Sequence, residues 1–213
     1  MRFSLLSSLL FCVCVAGCST AYKSLVSATA KNGCVERFKP AFNSALYNTQ
    51  VNVVGRHLSG LLLFKLMPDS SLRVVFSSEM GVKFFDFGFG NDGSFKVFQV
   101  MRQLDKKTVI KTLKSDFELI LMRDLRTGDL TNKEQIVKQD SSGNTWYGFN
   151  SAGETHYYIM SPGCDSLLRI ENAMKRKPKV QIIMQNYRLG IPDTIGISHK
   201  NFNFEIGLKY IQR

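Results

Sequence analysis

Val82-Lys83-Phe84-Phe85-Asp86-Phe87-Gly88-Phe89, then Asn91-Asp92-Gly93, then Phe95-Lys96-Val97-Phe98-Gln99-Val100-Met101 is the stretch that decides the fold. Aromatic and β-branched residues fill both flanks, as strands require, and Asn-Asp-Gly between them supplies a turn. Two strands joined by so short a link are antiparallel neighbours. On the N-terminal side, Leu72, Val74 and Phe76 alternate with Arg73, Val75 and Ser77, the period of a half-buried strand. Glu79-Met80-Gly81 is a tight turn, and the apolar run from His57 to Met67 ends at the turn Pro68-Asp69-Ser70. On the C-terminal side, strands are expected at Trp146 to Phe149, Thr155 to Met160, Ser166 to Ala173 and Val180 to Tyr187. The last is expected at Phe202 to Tyr210, where Phe202, Phe204, Ile206, Leu208 and Tyr210 alternate with polar or small residues. The period changes once. Val109, Leu113, Phe117, Ile120 and Leu121 recur at spacings of three and four, with Lys106, Lys107, Lys111 and Lys114 off the stripe, and predict an amphipathic helix. A helix is also expected within Val35 to Asn48, interrupted by Pro40, and Asp124 to Gln135 reads as charged and turn-rich. The pattern is a mostly β, α+β chain with no internal repeat.

The front end does not read as fold. Arg2 is followed by an uncharged apolar or small run from Phe3 to Val15, the length of a signal-peptide core and too short to span a membrane, which takes about 20 residues. Val15-Ala16-Gly17-Cys18 then resembles the lipobox of bacterial lipoproteins. This divides the chain into a signal (1–17), a lipidated tether (18–33) beginning at Cys18, and one domain (34–213). Ser19, rather than Asp, after the cysteine implies, by the sorting rules of well-known Gram-negative systems, the inner leaflet of the outer membrane, facing the periplasm.

The chain holds 28 Lys and Arg against 17 Asp and Glu, and removing residues 1–17 takes away only Arg2. A basic surface of this kind either meets an anionic surface such as lipid headgroups or is simply solvated; nucleic acid is an improbable partner for an exported chain. Of the five cysteines, Cys12 and Cys14 leave with the signal and Cys18 takes the lipid. Cys34 and Cys164 remain as a disulfide in an oxidising compartment, or as two buried thiols.

The order of elements resembles the LolA/LolB family of lipoprotein carriers and acceptors. The resemblance is carried by Ser59-Gly60-Leu61-Leu62-Leu63, by Phe76-Ser77-Ser78-Glu79-Met80-Gly81, by the helix after the sheet, and by Gly190-Ile191-Pro192-Asp193-Thr194-Ile195-Gly196-Ile197 before the final strand. It implies a curved antiparallel sheet forming an incomplete barrel, covered by helices, with acyl chains of an acylated lipoprotein or lipid held between. Met80 stands where LolB-like proteins project an apolar residue at the membrane; the alternative is that it folds back into the core. Phe84, Phe85, Phe87, Phe98, Leu113 and Phe117 are the candidates to line an acyl cavity. The same side chains, with Phe89 and Phe95, are equally suited to a dry, filled core.

Other constellations fail. Gly88-Phe89-Gly90-Asn91-Asp92-Gly93 matches a dinucleotide fingerprint by letter, but a strand follows where the motif needs a helix N-terminus. His57, His156 and His199 lie far from one another and from any cysteine at metal-ligand spacing. Ser161-Pro162-Gly163-Cys164 lacks the small residues of a nucleophile elbow. No cofactor, metal or catalytic group is expected. The expected function is binding of acyl chains and their transfer or insertion. The alternatives are an assembly lipoprotein with a filled core and a protein partner, and a hydrolase of envelope polymers.

Overall fold

The computed structural model describes residue 22 and residues 24–53, 56–125 and 135–211. The expected signal and Cys18 lie outside these residues. The strands, in chain order, are β1 (Val26–Ser27), β2 (Ser44–Val53), β3 (Arg56–Leu66), β4 (Leu72–Ser77), β5 (Lys83–Phe89), β6 (Phe95–Val100), β7 (Gln135–Gln139), β8 (Thr145–Ser151), β9 (Glu154–Met160), β10 (Leu167–Met174), β11 (Lys177–Arg188), β12 (Ile191–His199) and β13 (Phe204–Tyr210). Helix α1 (Lys107–Ile120) lies between β6 and β7.

All the strands form one antiparallel sheet in the order β1-β7-β8-β9-β10-β11-β12-β13-β2-β3-β4-β5-β6. It consists of two meanders, β2 to β6 and β7 to β13, joined where β13 pairs with β2, from Phe204 opposite Val53 to Tyr210 opposite Tyr47. The ends of the order do not pair, so the sheet is not closed into a barrel. Strand β6 is at one edge and β7 is covered only by β1 at the other, so the chain between them has to cross the whole sheet. Helix α1 lies in that crossing.

The crossing also reveals the curvature. Phe117 of α1 meets Phe64 of β3 and Phe85 and Phe89 of β5. Its neighbour Asp116 is hydrogen-bonded to His199 of β12 at 2.9 Å. Strands β12 and β5 are five strand spacings apart, roughly 24 Å in a flat sheet, whereas a helix with its side chains is about 10–12 Å across. One helix can touch both only if the sheet bends around it. Sheets of more than about ten strands seldom stay flat and open.

Residue alternation follows this geometry. Ala45, Tyr47, Thr49 and Val51 of β2 face the concave core, while Asn48, Gln50 and Asn52 face outward. Phe204, Ile206 and Leu208 of β13, and Ile195 and Ile197 of β12, continue the same surface. A second, smaller core lies on the outer face of β8 to β10, where Trp146, Tyr157, Ile159 and Ala173 are covered by Tyr22 and Leu25.

Several expectations change. The helix expected within Val35 to Asn48 is only a 3-10 turn, Glu36–Phe38, because the period-two pattern of β2 begins at Ser44. Of the stretch 18–33 expected as a tether, Tyr22 is buried in the outer core and β1 pairs with β7 through Val26–Gln139 and Ser27–Lys138. The cover of several helices reduces to one α-helix among the described residues, with a second 3-10 turn at Arg123–Leu125.

Cys34 and Cys164 form a disulfide across a sequence separation of 130 residues. It fastens the chain entering the domain to the turn between β9 and β10. Replacing both by alanine should lower the unfolding free energy in urea by about 2–5 kcal/mol, the range for removing a native disulfide. Adding reductant to the unaltered protein should give the same shift; an unchanged urea midpoint in both experiments would contradict the assigned role.

Candidate functional site

Helix α1 forms because its apolar residues share one face, and it stays because that face is buried. Leu113, Phe117, Leu119 and Ile120 are buried against the concave sheet. Its local signals are poor. Lys106 at the N-cap makes no side-chain capping bond, the first turn has no acidic residue and the last turn no basic one. Lysines at a helix N-terminus oppose the helix dipole. Packing and the buried Asp116–His199 bond therefore hold this helix in place, and the surface ion pair of Lys114 with Glu118 at 3.9 Å adds little.

The interior beneath the helix is filled by aromatic rings. Phe85 stacks on Phe87 with centroids 4.6 Å apart, and Phe42 stacks on Phe64 at 4.2 Å. Phe117 is fully buried among Phe64, Phe85 and Phe89. Apolar space opens beside the N-terminal half of α1. There Val109, Thr112 and Leu113 face Val53, Phe202 and Phe204 across a cavity of about 230 Å³, with Thr108 at its lip. Ligand pockets usually hold about 300–1,000 Å³. A second hollow of about 280 Å³ lies at the far end between Lys39, Phe42, Leu72 and Arg123, with more polar walls.

Strand register places the apolar cavity at one end of the sheet. Val53 opposes Phe204, Val180 opposes His199 and Ser77 opposes Lys83. The turns β4–β5, β10–β11 and β12–β13 therefore gather at the end where α1 begins. Met80 projects there, 91% exposed, from a turn closed by Gly81 N–H donating to Ser78 O at 2.9 Å. Val82, Met174 and Phe202 are further exposed apolar residues at this mouth.

The sequence candidates divide accordingly. Phe85, Phe87, Leu113 and Phe117 share the buried interior, and Phe84 is half-buried against Phe76 at 4.7 Å. Phe98 is 47% exposed on the outer face. Its ring lies over Gly88, where a Cβ would come within 2.7 Å of it, and the Arg73 guanidinium sits 3.6 Å from its centroid. Alternation from inward Phe95 puts Phe98 on the outer face, so it does not line the interior, and the bulge between Asp86 and Phe87 in the β5–β6 pairing then returns Val100 to the inner side. Leu189, 99% exposed in the β11–β12 turn at the opposite end, escaped sequence reading. Its signal was Leu-Gly, with both residues at positive φ (50° and 78°), where Asn-Gly is the preferred pair.

The histidines do not converge. His57 is bonded to Asn52 at 2.7 Å on the surface. His156 and the Tyr158 hydroxyl meet Asp124, each at 2.8 Å. His199 meets Asp116 and packs on Phe202 and Phe204. These two His–Asp pairs fix α1 and the turn after it to β12 and β9. Among the described residues no group of three or more His, Cys, Asp or Glu could hold a metal ion, and no helix is long and apolar enough to cross a membrane.

No protein-family model matches the chain and no curated protein matches it. Among solved structures, a LolA superfamily protein from Nitrosomonas europaea superposes with a TM-score of 0.55 at 9% identity, covering 87% of this chain and 93% of that one. The fold is LolA/LolB-like. A putative outer-membrane lipoprotein-sorting protein domain from Vibrio parahaemolyticus overlaps less closely, at a TM-score of 0.46 and 7% identity over 83% of this chain and 88% of that one, and the fold assignment rests on the first structure. In this version of the fold the element that plugs the concave face is α1.

Burial raises the Asp116 carboxyl above its ordinary range, and the hydrogen bond and charge of His199 only partly oppose it. One carboxylate oxygen, Oδ1, has no partner. A carboxyl whose folded pKa is raised stabilises the fold below its unfolded pKa of about 3.9 and loses that contribution as pH rises through the folded value. Asp116→Asn should therefore gain stability relative to the unaltered protein as pH rises from about 4 through neutrality. Urea midpoints of the two proteins across that range check it; a constant difference would contradict it.

Proposed function

We propose that this protein is an envelope lipoprotein, anchored by Cys18 to the periplasmic face of the outer membrane, that binds acyl chains of lipoproteins or other amphiphiles by letting them replace α1 against the curved sheet. The observation that carries this reading is an apolar cavity walled by a helix whose N-cap, Lys106, makes no side-chain capping bond. An acyl chain entering between Val109, Thr112 and Leu113 on one side and Phe202 and Phe204 on the other meets apolar walls. It can extend inward only as the helix lifts. The fold shared with a LolA superfamily protein supports the reading, as does the position of the mouth at the same end of the sheet as Met80. Met is flexible and apolar and suits contact with a bilayer surface. The chemistry is partition rather than reaction, at about 0.8 kcal/mol per buried CH₂.

The filled aromatic interior favours a second reading, an assembly lipoprotein of the same fold with a permanent core and a protein partner. One experiment separates the two. Native mass spectrometry after mild extraction, followed by titration with palmitate, should show bound lipid and saturable uptake. Thr112→Trp, which fills the mouth, should weaken palmitate binding about tenfold or more without lowering the melting temperature. Absence of lipid and of palmitate uptake would sink the carrier reading and leave the second. Met80→Glu should slow transfer of acylated cargo to vesicles while leaving palmitate affinity intact; transfer at an unchanged rate would remove Met80 from the mechanism.

A further inference from the structure

The β10–β11 hairpin tip carries Met174, Lys175, Arg176 and Lys177, all exposed. Lys175 and Arg176 are the two central turn residues and both take positive φ, 48° and 61°. Asn-Gly fits that turn without strain. Here two long cations are held outward instead, beside a half-exposed methionine. The acids nearby are engaged elsewhere: Glu154 pairs with Lys179, and Glu171 accepts from Arg169 and from the Tyr22 hydroxyl.

The hairpin adjoins the place where the N-terminal segment is clamped. Tyr22 packs on Trp146 and Tyr157 with ring centroids 5.5 and 5.8 Å away. Ala173, one residue before the tip, belongs to the same cluster. Burial raises the Tyr157 phenol, and Arg176 is close enough to oppose part of that rise. After Tyr22 the chain passes along the β7 edge as β1, running toward the mouth from Val26 beside Gln139 to Ser27 beside Lys138, and then returns to Cys34 at the opposite end. Cys18 is four residues before Tyr22, a reach of at most about 14 Å. A lipid on Cys18 would therefore be tethered within that reach of the Tyr22 clamp, on the face that carries this hairpin.

We infer that the Lys175-Arg176-Lys177 tip, next to the Tyr22 clamp, is a docking site for anionic phospholipid headgroups that sets the domain on the bilayer with its apolar mouth toward the membrane. This rests on the reading that Cys18 is acylated. Each cation near such a surface strengthens association about fivefold. Met174 enters the interface between the charges, and Phe202 and Met80 lie along the same end of the sheet.

Trp146, the only tryptophan, sits in the clamp and serves as the reporter. The full chain, exported and extracted in detergent, is checked for acylation by intact mass. It is then reconstituted into vesicles of phosphatidylcholine alone, or of phosphatidylcholine and phosphatidylglycerol in equal parts, each with a dansyl-headgroup lipid. Energy transfer from Trp146 should be at least twofold higher in the phosphatidylglycerol vesicles. It should fall to the phosphatidylcholine level near 1 M salt, where the screening length is about 3 Å. K175E/R176E/K177E should abolish the difference. K65E/K96E/R188E, the same charge change at the opposite end, should preserve it. Emission wavelength confirms that Trp146 stays buried, and K175Q/R176Q/K177Q should give a partial loss if the reversal perturbs folding. Equal transfer in both vesicle types, or transfer unaffected by the triple reversal in acylated protein, overturns the docking site while leaving the anchor. A chain that is found unacylated overturns the anchor, and the docking geometry with it.

Discussion

Most of the architecture depends on the burial of one stripe of α1 in the concave face of the sheet. The strand order forces the chain between β6 and β7 to cross that face, and a polar crossing would leave a large apolar surface wet. Leu113, Phe117, Leu119 and Ile120 solve this by covering it. The sheet in turn bends until β5 and β12 both reach the helix. Curvature, the open edges and the restricted cavity all follow from fitting one helix of about 10–12 Å into a sheet of this width.

Polar contacts at the margins of this core fix position more than they add stability. Asp116 and Asp124 are buried, and each meets a histidine. Desolvation outweighs the bond in the case of Asp116. Such pairs discriminate against other placements of the helix because a misplaced helix leaves a buried charge alone. On the convex face the same logic is met with rings over glycines. Phe98 covers Gly88, and Tyr157 covers Gly148 at 2.9 Å from where a Cβ would stand. These close approaches tolerate no larger residue without displacing the ring.

The elements with strong apolar periodicity were legible in the sequence, and those without it were not. The Phe-rich strands β5 and β6, the alternating β13 and the stripe of α1 stood out. Strand β2 was obscured because its outward residues are Asn and Gln and its buried face includes Thr49, while Val35 to Phe38 suggested a helix. Strand β7 is short and half-buried, and β1 has only two residues, so neither carries a pattern. The exposure of Met80 was legible from its turn, and four of the six cavity candidates lie in the buried interior. Phe98 was misassigned because both faces of this stretch carry apolar residues, although its odd spacing from inward Phe95 puts it on the outer face. The Tyr22 clamp was likewise hidden, since a lone tyrosine in a small, polar segment gives no sign of its distant partners.

The filled interior does not by itself oppose lipid binding, because the magnitudes are comparable. The four buried side chains of α1, with half-buried Val109, are worth roughly 10 kcal/mol of burial at about 2 kcal/mol each. An acyl chain with about fourteen methylenes is worth roughly 11 kcal/mol on the same scale. Replacing one by the other is close to neutral before the helix finds any new environment. The uncapped, lysine-rich N-terminus adds little to hold α1 down, so besides packing the displacement has to break the Asp116–His199 bond. Under the proposed carrier reading, a helix fastened mainly by packing over such a surface is the occupant that lipid would displace.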